Sequence, residues 1–342
     1  MTRAAVFGAG SWGTAFGAVL ADAGTLTTIY ARRPELADAI NLRRENPAYL
    51  PGVPLPAGLL ATTDPGEALA AAEFVVLAIP AQTLRENLSA WAPLLPPDAV
   101  LVSLMKGVEL GTTKRMSEVI CEVADAPAER VAVLSGPNLA GEIALRQPAA
   151  SVIACSEGDG AERLQNACLT AYFRPYTNVD VVGTELGGAV KNVIAIAVGM
   201  ADGMGLGDNA KASLITRGLT EISRLGAALG AQPMTFAGLA GLGDLVATCM
   251  SPLSRNRSVG EQLGRGDPLS EVRARLGVVA EGVQSSRSIL DLARKHDVYM
   301  PITEHVVAVL GEDMSPAEML RAMMTRGGKP ERHGIDPRRP GG

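Results

Sequence analysis

The sequence predicts an α/β protein with a doubly wound, mostly parallel sheet in its N-terminal part and an all-helical domain in its C-terminal part. Three observations predict this class. A glycine-rich turn at residues 8–13 lies between a short apolar strand pattern and a helix pattern. Further short apolar runs follow, separated by helical or loop stretches. From Thr184 onward the apolar residues recur with helical spacing almost throughout, and such a change of period marks a change of architecture.

The chain begins with the elements of a dinucleotide-binding unit of the Rossmann type. Residues 4–7 read as an apolar strand, residues 14–24 as a helix and residues 25–31 as a β-branched second strand. At the turn between them, Gly8 permits a tight bend and Gly10 lets the backbone approach a pyrophosphate. Gly13 allows the helix to pack closely against its strand. The N-terminus of the helix then offers amides and the positive end of its dipole to the phosphates.

The residues after the second strand favour NADP over NAD. A site dedicated to NAD usually carries Asp or Glu about 20 residues beyond the glycine turn, where it binds the ribose 2′-hydroxyl. This chain has Arg32 and Arg33 there, and arginines pair with a 2′-phosphate. Two solvated loop arginines are the alternative interpretation.

Several residues fall where predicted strands end. Three further buried strands are predicted at residues 74–80, 100–107 and 131–137, and two added strands at residues 150–156 and 172–183. Ligands bind beyond the carboxyl ends of parallel strands, where Pro80, Lys106 and the Gly-Pro-Asn of residues 136–138 occur. Lys106 closes its strand and precedes a glycine, so we expect it to project over the cleft.

A lysine lies inside an otherwise apolar helix pattern. Lys191 is the only charged residue of residues 186–200. A buried ammonium loses hydration, so it needs a charge partner or a lowered pKa, and either makes it a candidate acid–base group. Gly187 and Gly188 share its helix face and are expected to leave room for a ligand. The alternative is a lysine whose stem follows the core and whose ammonium reaches water.

Two segments of the helical half could complete a site. Residues 238–244 form a glycine-rich turn that presents Asp244, which could balance the charge of Lys191 or cap the following helix. Residues 254–257, with the sequence SRNR, combine two cations with two small hydrogen-bonding residues, which suits a phosphate monoester. A solvated basic turn is the alternative interpretation of this second segment.

The change of composition near residue 183 predicts the domain organisation. We expect a dinucleotide-binding domain at residues 1–183, a helical substrate and catalytic domain at residues 184–326, and a disordered tail at residues 327–342 that is rich in Pro, Gly and Arg. Lys191 then lies in the first element after the boundary, at the kind of junction where pockets commonly form.

Composition excludes several classes of function. The 342 residues carry a formal net charge of −5, which gives no general attraction for nucleic acid. The four cysteines and three histidines have no metal-like spacing, so we expect no metal and reduced thiols of a cytosolic protein. No run reaches the roughly 18 uninterrupted apolar residues of a membrane span, and the glycine turn comes too early for a signal peptide. We therefore expect no membrane insertion and a cytoplasmic location.

The content and order of several motifs resemble those of one family. The motifs are GAGSWGTA (8–15), KG (106–107), GP-x-x-A-x-E (136–142), GGAVKNVIAIAVGMADG (187–203), GLAGLGDL (238–245), SRNR (254–257), VAEG (279–282) and MPITE (300–304). Together they resemble the bacterial-type NAD(P)-dependent glycerol-3-phosphate dehydrogenases over nearly the whole chain. The resemblance implies reversible reduction of dihydroxyacetone phosphate to sn-glycerol 3-phosphate for phospholipid synthesis. It also implies a homodimer and a helical domain similar to that of 6-phosphogluconate dehydrogenase.

The resemblance also implies roles for individual residues. Lys191 would donate and accept the proton, with Lys106 and Asp244 beside it. The implied substrate residues are Lys106, Gly136, Asn138, Lys191, Asp244, Ser254, Arg255 and Asn256. The implied cofactor residues, besides Gly8, Gly10 and Gly13, are Ser11, Trp12, Arg32, Arg33, Lys106, Ala140, Arg255, Val279 and Glu281.

One position departs from the family pattern. The family usually has Ser or Thr where this chain has Asn138, so we expect retained activity with an altered substrate contact. Two other functions stay open: a β-hydroxyacid or ketol-type dehydrogenase that binds a carboxylate, and a module that senses NADPH without turnover. The SRNR segment argues against the first, and the lysine in the second domain argues against the other.

Overall fold

The chain forms two compact units. In this computed structural model, the described residues are 1–156, 159–276, 280–328 and 331. Unit 1 comprises Met1–Met105 and Arg115–Val181, and unit 2 comprises Lys106–Lys114 and Val182–Gly342. The sequence predicts one boundary at 183/184, whereas here the segment Lys106–Lys114 belongs to unit 2. The disordered tail stays a prediction, because most of residues 327–342 lie outside the described ranges.

Unit 1 is an eight-stranded sheet with helices between its strands. Its strands are β1 (Arg3–Phe7), β2 (Leu26–Tyr30), β3 (Leu59–Thr62), β4 (Phe74–Leu77), β5 (Val100–Ser103), β6 (Val131–Ser135), β7 (Ala149–Cys155) and β8 (Phe173–Asn178). Its helices are α1 (Ser11–Asp22), α2 (Pro34–Asp38), α3 (Pro65–Leu69), α4 (Leu84–Trp91), α5 (Met116–Ala124), α6 (Ala140–Ala144) and α7 (Gly160–Cys168). A π-helical turn (Ala39–Arg43) follows α2, and short 3₁₀ turns occupy Ala81–Thr83, Ala92–Leu94 and Ala128–Arg130.

The strand order explains where ligands can approach the sheet. The order is β3-β2-β1-β4-β5-β6-β7-β8. All neighbours pair in parallel except β6 and β7, so the predicted mostly parallel, doubly wound sheet is confirmed. The chain reverses its winding direction between β1 and β4, and such a switch point opens a crevice beyond the strand ends. The glycine turn at residues 8–13 begins there, directly after Phe7.

The strands are apolar throughout because both faces of the sheet are covered. Alternate residues of β1 belong to two different cores: Ala4 and Val6 pack on one side, and Ala5 and Phe7 on the other. Parallel strands buried on both faces read as continuous hydrophobic runs rather than alternating ones, which is why the sequence patterns are visible.

Two features of unit 1 differ from the sequence predictions. Strand β3 was not predicted: it is a short edge strand, its residue Leu60 is half exposed, and a proline-rich stretch precedes it. Lys106 does not close a strand, because pairing with β4 ends at Ser103. The segment Lys106–Lys114 instead packs with unit 2, because the side chain of Val108 is fully buried in the core of that unit.

Unit 2 is helical. Its helices are α8 (Val181–Gly203), α9 (Asp208–Ala228), α10 (Pro233–Ala237), α11 (Asp244–Met250), α12 (Arg255–Gly264), α13 (Leu269–Leu276), α14 (Glu281–Lys295), α15 (Pro301–Leu310) and α16 (Pro316–Met324). A π-helical turn, Leu239–Gly243, leads into α11. The strand predicted at residues 172–183 forms only as β8 (Phe173–Asn178), because residues 181–183 already belong to the first turn of α8.

Helix α8 is the core of unit 2. It has 23 residues, longer than the stretch 186–200 expected from the sequence. By length and composition it could cross a membrane, but 89% of its most apolar window is buried inside the protein, as in a core helix of a globular fold.

Four glycines let α8 and α12 cross in close contact. A Cβ on Gly199 or Gly203 would lie 2.1 or 2.0 Å from the carbonyl oxygen of Arg257 or Glu261. On the facing helix, a Cβ on Gly260 would lie 2.0 Å from the carbonyl oxygen of Ile196, and Gly264 makes the same approach to Met200. Only glycine permits this backbone contact, and it places the N-terminus of α12 against the helix that carries Lys191.

Candidate active site

The glycine turn of unit 1 has the geometry of a phosphate cradle. Gly8 has a φ of +125°, and a Cβ there would lie 2.3 Å from the carbonyl oxygen of Ala78. A Cβ on Gly13 would lie 2.0 Å from the Gly8 oxygen, so these two glycines are required by packing. Around Gly10 nothing lies within 4 Å of the Cβ position, and Gly10 precedes the first residue of α1, Ser11, without a side-chain cap. The open backbone at a helix N-terminus fits a diphosphate.

A buried asparagine that the sequence did not single out braces this turn. The Asn46 Nδ2 donates to the Ala9 carbonyl oxygen at 3.0 Å and to the Thr14 Oγ1 at 2.8 Å. Its Oδ1 accepts from the Tyr49 amide at 3.2 Å, and the Ser11 Oγ donates to the Tyr49 carbonyl oxygen at 3.0 Å. A lone asparagine so far along the chain has no motif to reveal it.

The two arginines predicted to bind a 2′-phosphate follow β2 in exposed positions. Arg32 and Arg33 are both exposed, and the Arg33 guanidinium lies over the ring of Tyr49, 5.6 Å from its centroid. The contact between Arg33 and Glu35 is long, at 4.0 Å. In the described part of the chain, the buried Trp12 Nε1 has no hydrogen-bond partner, so unit 1 keeps an unused donor beside its glycine turn.

The residues after β6 form a second polar corner of unit 1. Gly136 has a φ of +138°, and a Cβ there would lie 3.1 Å from the Ser151 Cα. The Ser151 Oγ donates to the Asn138 Oδ1. Among the described residues, the buried Asn138 Nδ2 has no hydrogen-bond partner. Ala140 begins α6 two residues further on.

Unit 2 brings Lys106, Lys191 and Asp244 together. The Lys191 Nζ lies 2.5 Å from one carboxylate oxygen of Asp244, and the Lys106 Nζ lies 2.6 Å from the other. The exposed fractions of the three side chains are 8% for Lys191, 13% for Lys106 and 1% for Asp244. The alternative of a lysine reaching bulk water therefore does not hold for Lys191, and Asp244 serves as its charge partner rather than as a helix cap.

Two ammonium groups share one carboxylate in this cluster, so it carries an excess of positive charge. The pKa of Lys106 is lowered from 10.5 to about 8, mainly because burial removes water from its ammonium. The nearby Lys191 lowers this pKa further, whereas Asp244 raises it. Thr248, one turn beyond Asp244 on α11, accepts a hydrogen bond from the Lys191 Nζ at 2.5 Å. It was not predicted, although its i+4 spacing from Asp244 places it on the same helix face.

Gly187 serves packing rather than ligand access, whereas the expectation for Gly188 stays a prediction. A Cβ on Gly187 would lie 2.3 Å from the Ala240 carbonyl oxygen, so the space on this face of α8 is filled by the turn that precedes α11. Gly241 in that turn makes a similar approach to the Phe236 backbone, at 2.2 Å. These close contacts bring the first residue of α11, Asp244, to the face of α8 that carries Lys191.

The SRNR segment divides into four different environments. Ser254 is the N-cap of α12, and its Oγ accepts from the Arg257 amide at 3.3 Å. Arg255 is exposed at the start of the helix, and Asn256 is buried. The Arg257 guanidinium bonds to Asp202 and lies 3.3 Å from Glu261. Arg257 is therefore held by two carboxylates, and Arg255 is the cation of this segment that faces solvent.

The remaining predicted residues lie at the start of α14. Glu281 is its first residue and is partly exposed. Val279 lies outside the described residues, so its predicted cofactor contact stays a prediction. In the described ranges, no group of three or more His, Cys, Asp or Glu side chains could hold a metal ion.

The glycine cradle at the switch point of unit 1 and the buried lysine pair of unit 2 together define a class of protein. It is the class of nicotinamide-dependent oxidoreductases that combine a Rossmann-type unit with a helical unit.

Comparison with known proteins specifies the family. The model of the NAD-dependent glycerol-3-phosphate dehydrogenase N-terminus matches residues 3–161, and that of the C-terminus matches residues 180–321. The chain belongs to the NAD-dependent glycerol-3-phosphate dehydrogenase family.

Several relatives of high sequence identity are glycerol-3-phosphate dehydrogenases. The glycerol-3-phosphate dehydrogenase (NAD(P)+) of Streptomyces avermitilis is 66% identical over 330 residues, which cover 96% of this chain and 98% of that protein. Its counterpart in Thermobifida fusca is 63% identical over 336 residues, covering 98% of this chain and all of that protein. The crystal structure of glycerol-3-phosphate dehydrogenase from Coxiella burnetii superimposes with a TM-score of 0.90 at 36% identity, covering 95% of this chain and 99% of the other. The family resemblance drawn from the motifs is thus confirmed.

Proposed function

We propose that the protein catalyses the reversible NAD(P)H-dependent reduction of dihydroxyacetone phosphate to sn-glycerol 3-phosphate, which supplies glycerophospholipid synthesis. The observation that carries this proposal is the buried cluster in which Lys106 and Lys191 share the carboxylate of Asp244. Such a cluster offers positive charge and a transferable proton to a carbonyl oxygen. The family membership supports the choice of a phosphorylated three-carbon substrate.

Lys191 is proposed as the proton donor of the reduction. When bound, the reduced nicotinamide supplies the hydride for the ketone carbon. Lys191 donates a proton from its Nζ to the substrate oxygen, while Asp244 and Thr248 hold the ammonium in one direction through contacts of 2.5 Å each. In the reverse reaction, the same nitrogen accepts the proton of the alcohol.

Lys106 is proposed to stabilise the developing oxyanion. Its ammonium lies on the opposite oxygen of Asp244, at 2.6 Å, in surroundings that exclude most water. Charge stabilisation is stronger in such a site than in water because the local dielectric response is weak.

The start of α12 is proposed to hold the substrate phosphate. Arg255 offers an exposed guanidinium there, and the first amides of the helix add donors and the positive end of the dipole. Ser254 contributes as the cap that shapes this end. For Asn256, the backbone amide and one remaining Nδ2 hydrogen are the groups available to a ligand, because its other side-chain contacts are made within the protein. Remote phosphate binding orients the ketone and so contributes to the rate.

Unit 1 is proposed to bind the cofactor, with a preference for NADP. Gly8, Gly10 and Gly13 with the amides of Ser11 and Trp12 would hold the diphosphate, as the open backbone at Gly10 supports. The exposed Arg32 and Arg33 would pair with the 2′-phosphate, and Arg33 is already oriented by stacking on Tyr49. Ala140, Arg255, Val279 and Glu281 complete the proposed cofactor contacts, and Gly136 and Asn138 the substrate contacts.

The decisive assay follows nicotinamide absorbance after dihydroxyacetone phosphate is added, with NADPH and NADH in parallel. Faster oxidation of NADPH, and loss of that preference in Arg33→Ser, is the expected result. Equal rates with both cofactors would keep the reaction and remove the 2′-phosphate argument. Turnover of carboxylated ketones alone would indicate the hydroxyacid dehydrogenase, and cofactor binding without any turnover would indicate the NADPH sensor.

The role of Lys191 is tested by Lys191→Met, which keeps the apolar stem and leaves Lys106 and Asp244 as a neutral pair. We expect a loss of about 10²–10⁴-fold in kcat with the fold intact, the usual scale for general acid–base catalysis. The matched control is Lys295→Met at the exposed end of α14, which should turn over like the wild type. Near-wild-type turnover in Lys191→Met would refute the assignment.

The same proposal includes the absence of a metal, a homodimeric state and a cytoplasmic location. Because the reaction is proposed to need no metal, a chelator should leave its rate unchanged. Light scattering at several protein concentrations would test the homodimer.

A further inference from the structure

Two buried asparagines link four segments of unit 2 through a chain of hydrogen bonds. The Gly282 amide donates to the Asn256 Oδ1 at 3.0 Å. The Asn256 Nδ2 donates to the Asn192 Oδ1 at 2.9 Å. The Asn192 Nδ2 donates to the Lys106 carbonyl oxygen at 3.2 Å. The chain therefore runs from α14 through α12 and α8 to the segment that carries Lys106.

The direction of this chain is set by its two ends. The Gly282 amide can only donate, and the Lys106 carbonyl can only accept. Each asparagine between them must therefore turn its Oδ1 toward Gly282 and its Nδ2 toward Lys106. The two carboxamide orientations follow from the chemistry of the end groups. Any group that reverses one donor breaks the chain at that point.

The chain is tightly packed as well as bonded. Asn192 is 4% exposed and Asn256 is 9% exposed. A Cβ on Gly282 would lie 2.8 Å from both the Asn192 carbonyl oxygen and the Asn256 Oδ1, so only glycine lets α14 approach this closely. Buried amides in such surroundings are costly to leave without partners.

A second bond holds the same segment from α14. The Ser288 Oγ donates to the Val108 carbonyl oxygen at 2.7 Å, and the Val108 side chain is fully buried in the core of unit 2. Lys106 is thus fixed at both ends: Asn192 holds its carbonyl, and Asp244 holds its ammonium.

We propose that Asn192 and Asn256 are positioning residues that place the Lys106 ammonium on Asp244 opposite Lys191. They act through the backbone of Lys106. This inference rests on the proposed function for its kinetic consequences, because only a turnover assay reports the reaction that Lys106 serves. It adds a second role to the substrate contact proposed for Asn256, whose Oδ1 and one Nδ2 hydrogen are engaged inside the protein.

A double-mutant cycle tests whether Asn192 acts through Lys106. Asn192→Ser removes the donor to the Lys106 carbonyl, and Lys106→Met removes the ammonium that the bond positions. In the wild-type background, Asn192→Ser should lower kcat/KM by on the order of 10²-fold, as a displacement of about 1 Å in a catalytic group does. In the Lys106→Met background, Asn192→Ser should leave kcat/KM unchanged within experimental error, because the ammonium that the bond positions is gone.

Controls separate positioning from folding. Asn209→Ser alters an exposed asparagine of α9 and should leave kcat/KM unchanged. If Asn192→Ser does not fold, Asn192→Asp takes its place in the cycle. That substitution keeps an acceptor for the Asn256 Nδ2 but opposes an oxygen to the Lys106 carbonyl oxygen. Equal losses in the wild-type and Lys106→Met backgrounds would overturn the proposal.

A second measurement does not depend on turnover. Competitive labelling with acetic anhydride, read by mass spectrometry, gives the pH midpoint of Lys106 directly. The wild type should show a midpoint near its lowered pKa of about 8. Asn192→Ser should move the midpoint toward 10.5, because a displaced ammonium regains water. An unchanged midpoint would refute the positioning role, whereas inactivity of the wild type with dihydroxyacetone phosphate would refute only the proposed reaction.

Discussion

Replacing Asp244 by Asn tests the electrostatics of the buried cluster. The substitution keeps the size of the side chain and removes the one negative charge that lies between two ammonium groups. The two ion pairs, at 2.5 and 2.6 Å, each represent about 6 kcal/mol of attraction at an effective dielectric constant near 20, before the cost of desolvation. After that cost, breaking a buried pair typically destabilises a protein by about 3–5 kcal/mol.

The expected loss depends on pH, and the sign follows from Lys106. Its pKa is already lowered to about 8 by burial, against an opposing contribution from Asp244. Without that carboxylate, the pKa of Lys106 falls below 8. A lysine whose folded pKa lies below its unfolded pKa binds fewer protons when folded, so stability rises with pH between the two values. In the variant this rise begins below pH 8, whereas in the wild type it begins near pH 8. The free-energy difference between the two proteins should therefore narrow between pH 7 and pH 8, by up to about 1 kcal/mol.

Urea unfolding at pH 7 and pH 8 measures this gap. Circular dichroism follows mainly the helical unit 2, while Trp12 and Trp91 both lie in unit 1 and their fluorescence supplies an internal reference. The matched control is Asp208→Asn, which removes a carboxylate 3.0 Å from Lys211 that is 93% exposed. The control should unfold like the wild type. A gap that is absent, or that stays constant between the two pH values, would refute the electrostatic argument.

Two other predictions concern unit 2. Gly260→Ala should lower the free energy of unfolding by about 1–3 kcal/mol or more, because its Cβ would lie 2.0 Å from the Ile196 carbonyl oxygen. Urea unfolding measures this loss. The control is Gly207→Ala, where a Cβ has nothing within 4 Å. Glu221 caps the start of α15 by accepting from the Ile302 amide at 2.6 Å, and burial raises its pKa from 4.5 to about 7. Since this folded pKa exceeds the unfolded one, wild-type stability should fall by about 3 kcal/mol as pH rises from 4.5 to 7. The free energy of unfolding of Glu221→Gln should not fall over this pH range. Parallel pH profiles of unfolding for the two proteins would contradict the assignment of the fall to Glu221.

The sequence determined the elements whose patterns are local. The βαβ start was predictable because glycine spacing and apolar runs directly reflect a tight turn and strands buried on both faces. Lys191 was identifiable because a charge in an apolar helix is locally improbable and must be satisfied. The excess of helix after β8 was likewise visible from the period of its apolar residues.

Only the tertiary structure decided which distant residues meet. The sequence placed Lys106 at the end of a strand of the first domain, whereas burial of Val108 draws it into unit 2 beside Asp244. It could not show that Gly187 admits the turn before α11, or that Arg257 is held by Asp202. No sequence pattern predicted the series of hydrogen bonds from Gly282 through Asn256 and Asn192 to Lys106. Such contacts join residues far apart in sequence, and their partners are chosen by packing and by the need to satisfy every buried polar group, for which no local pattern exists.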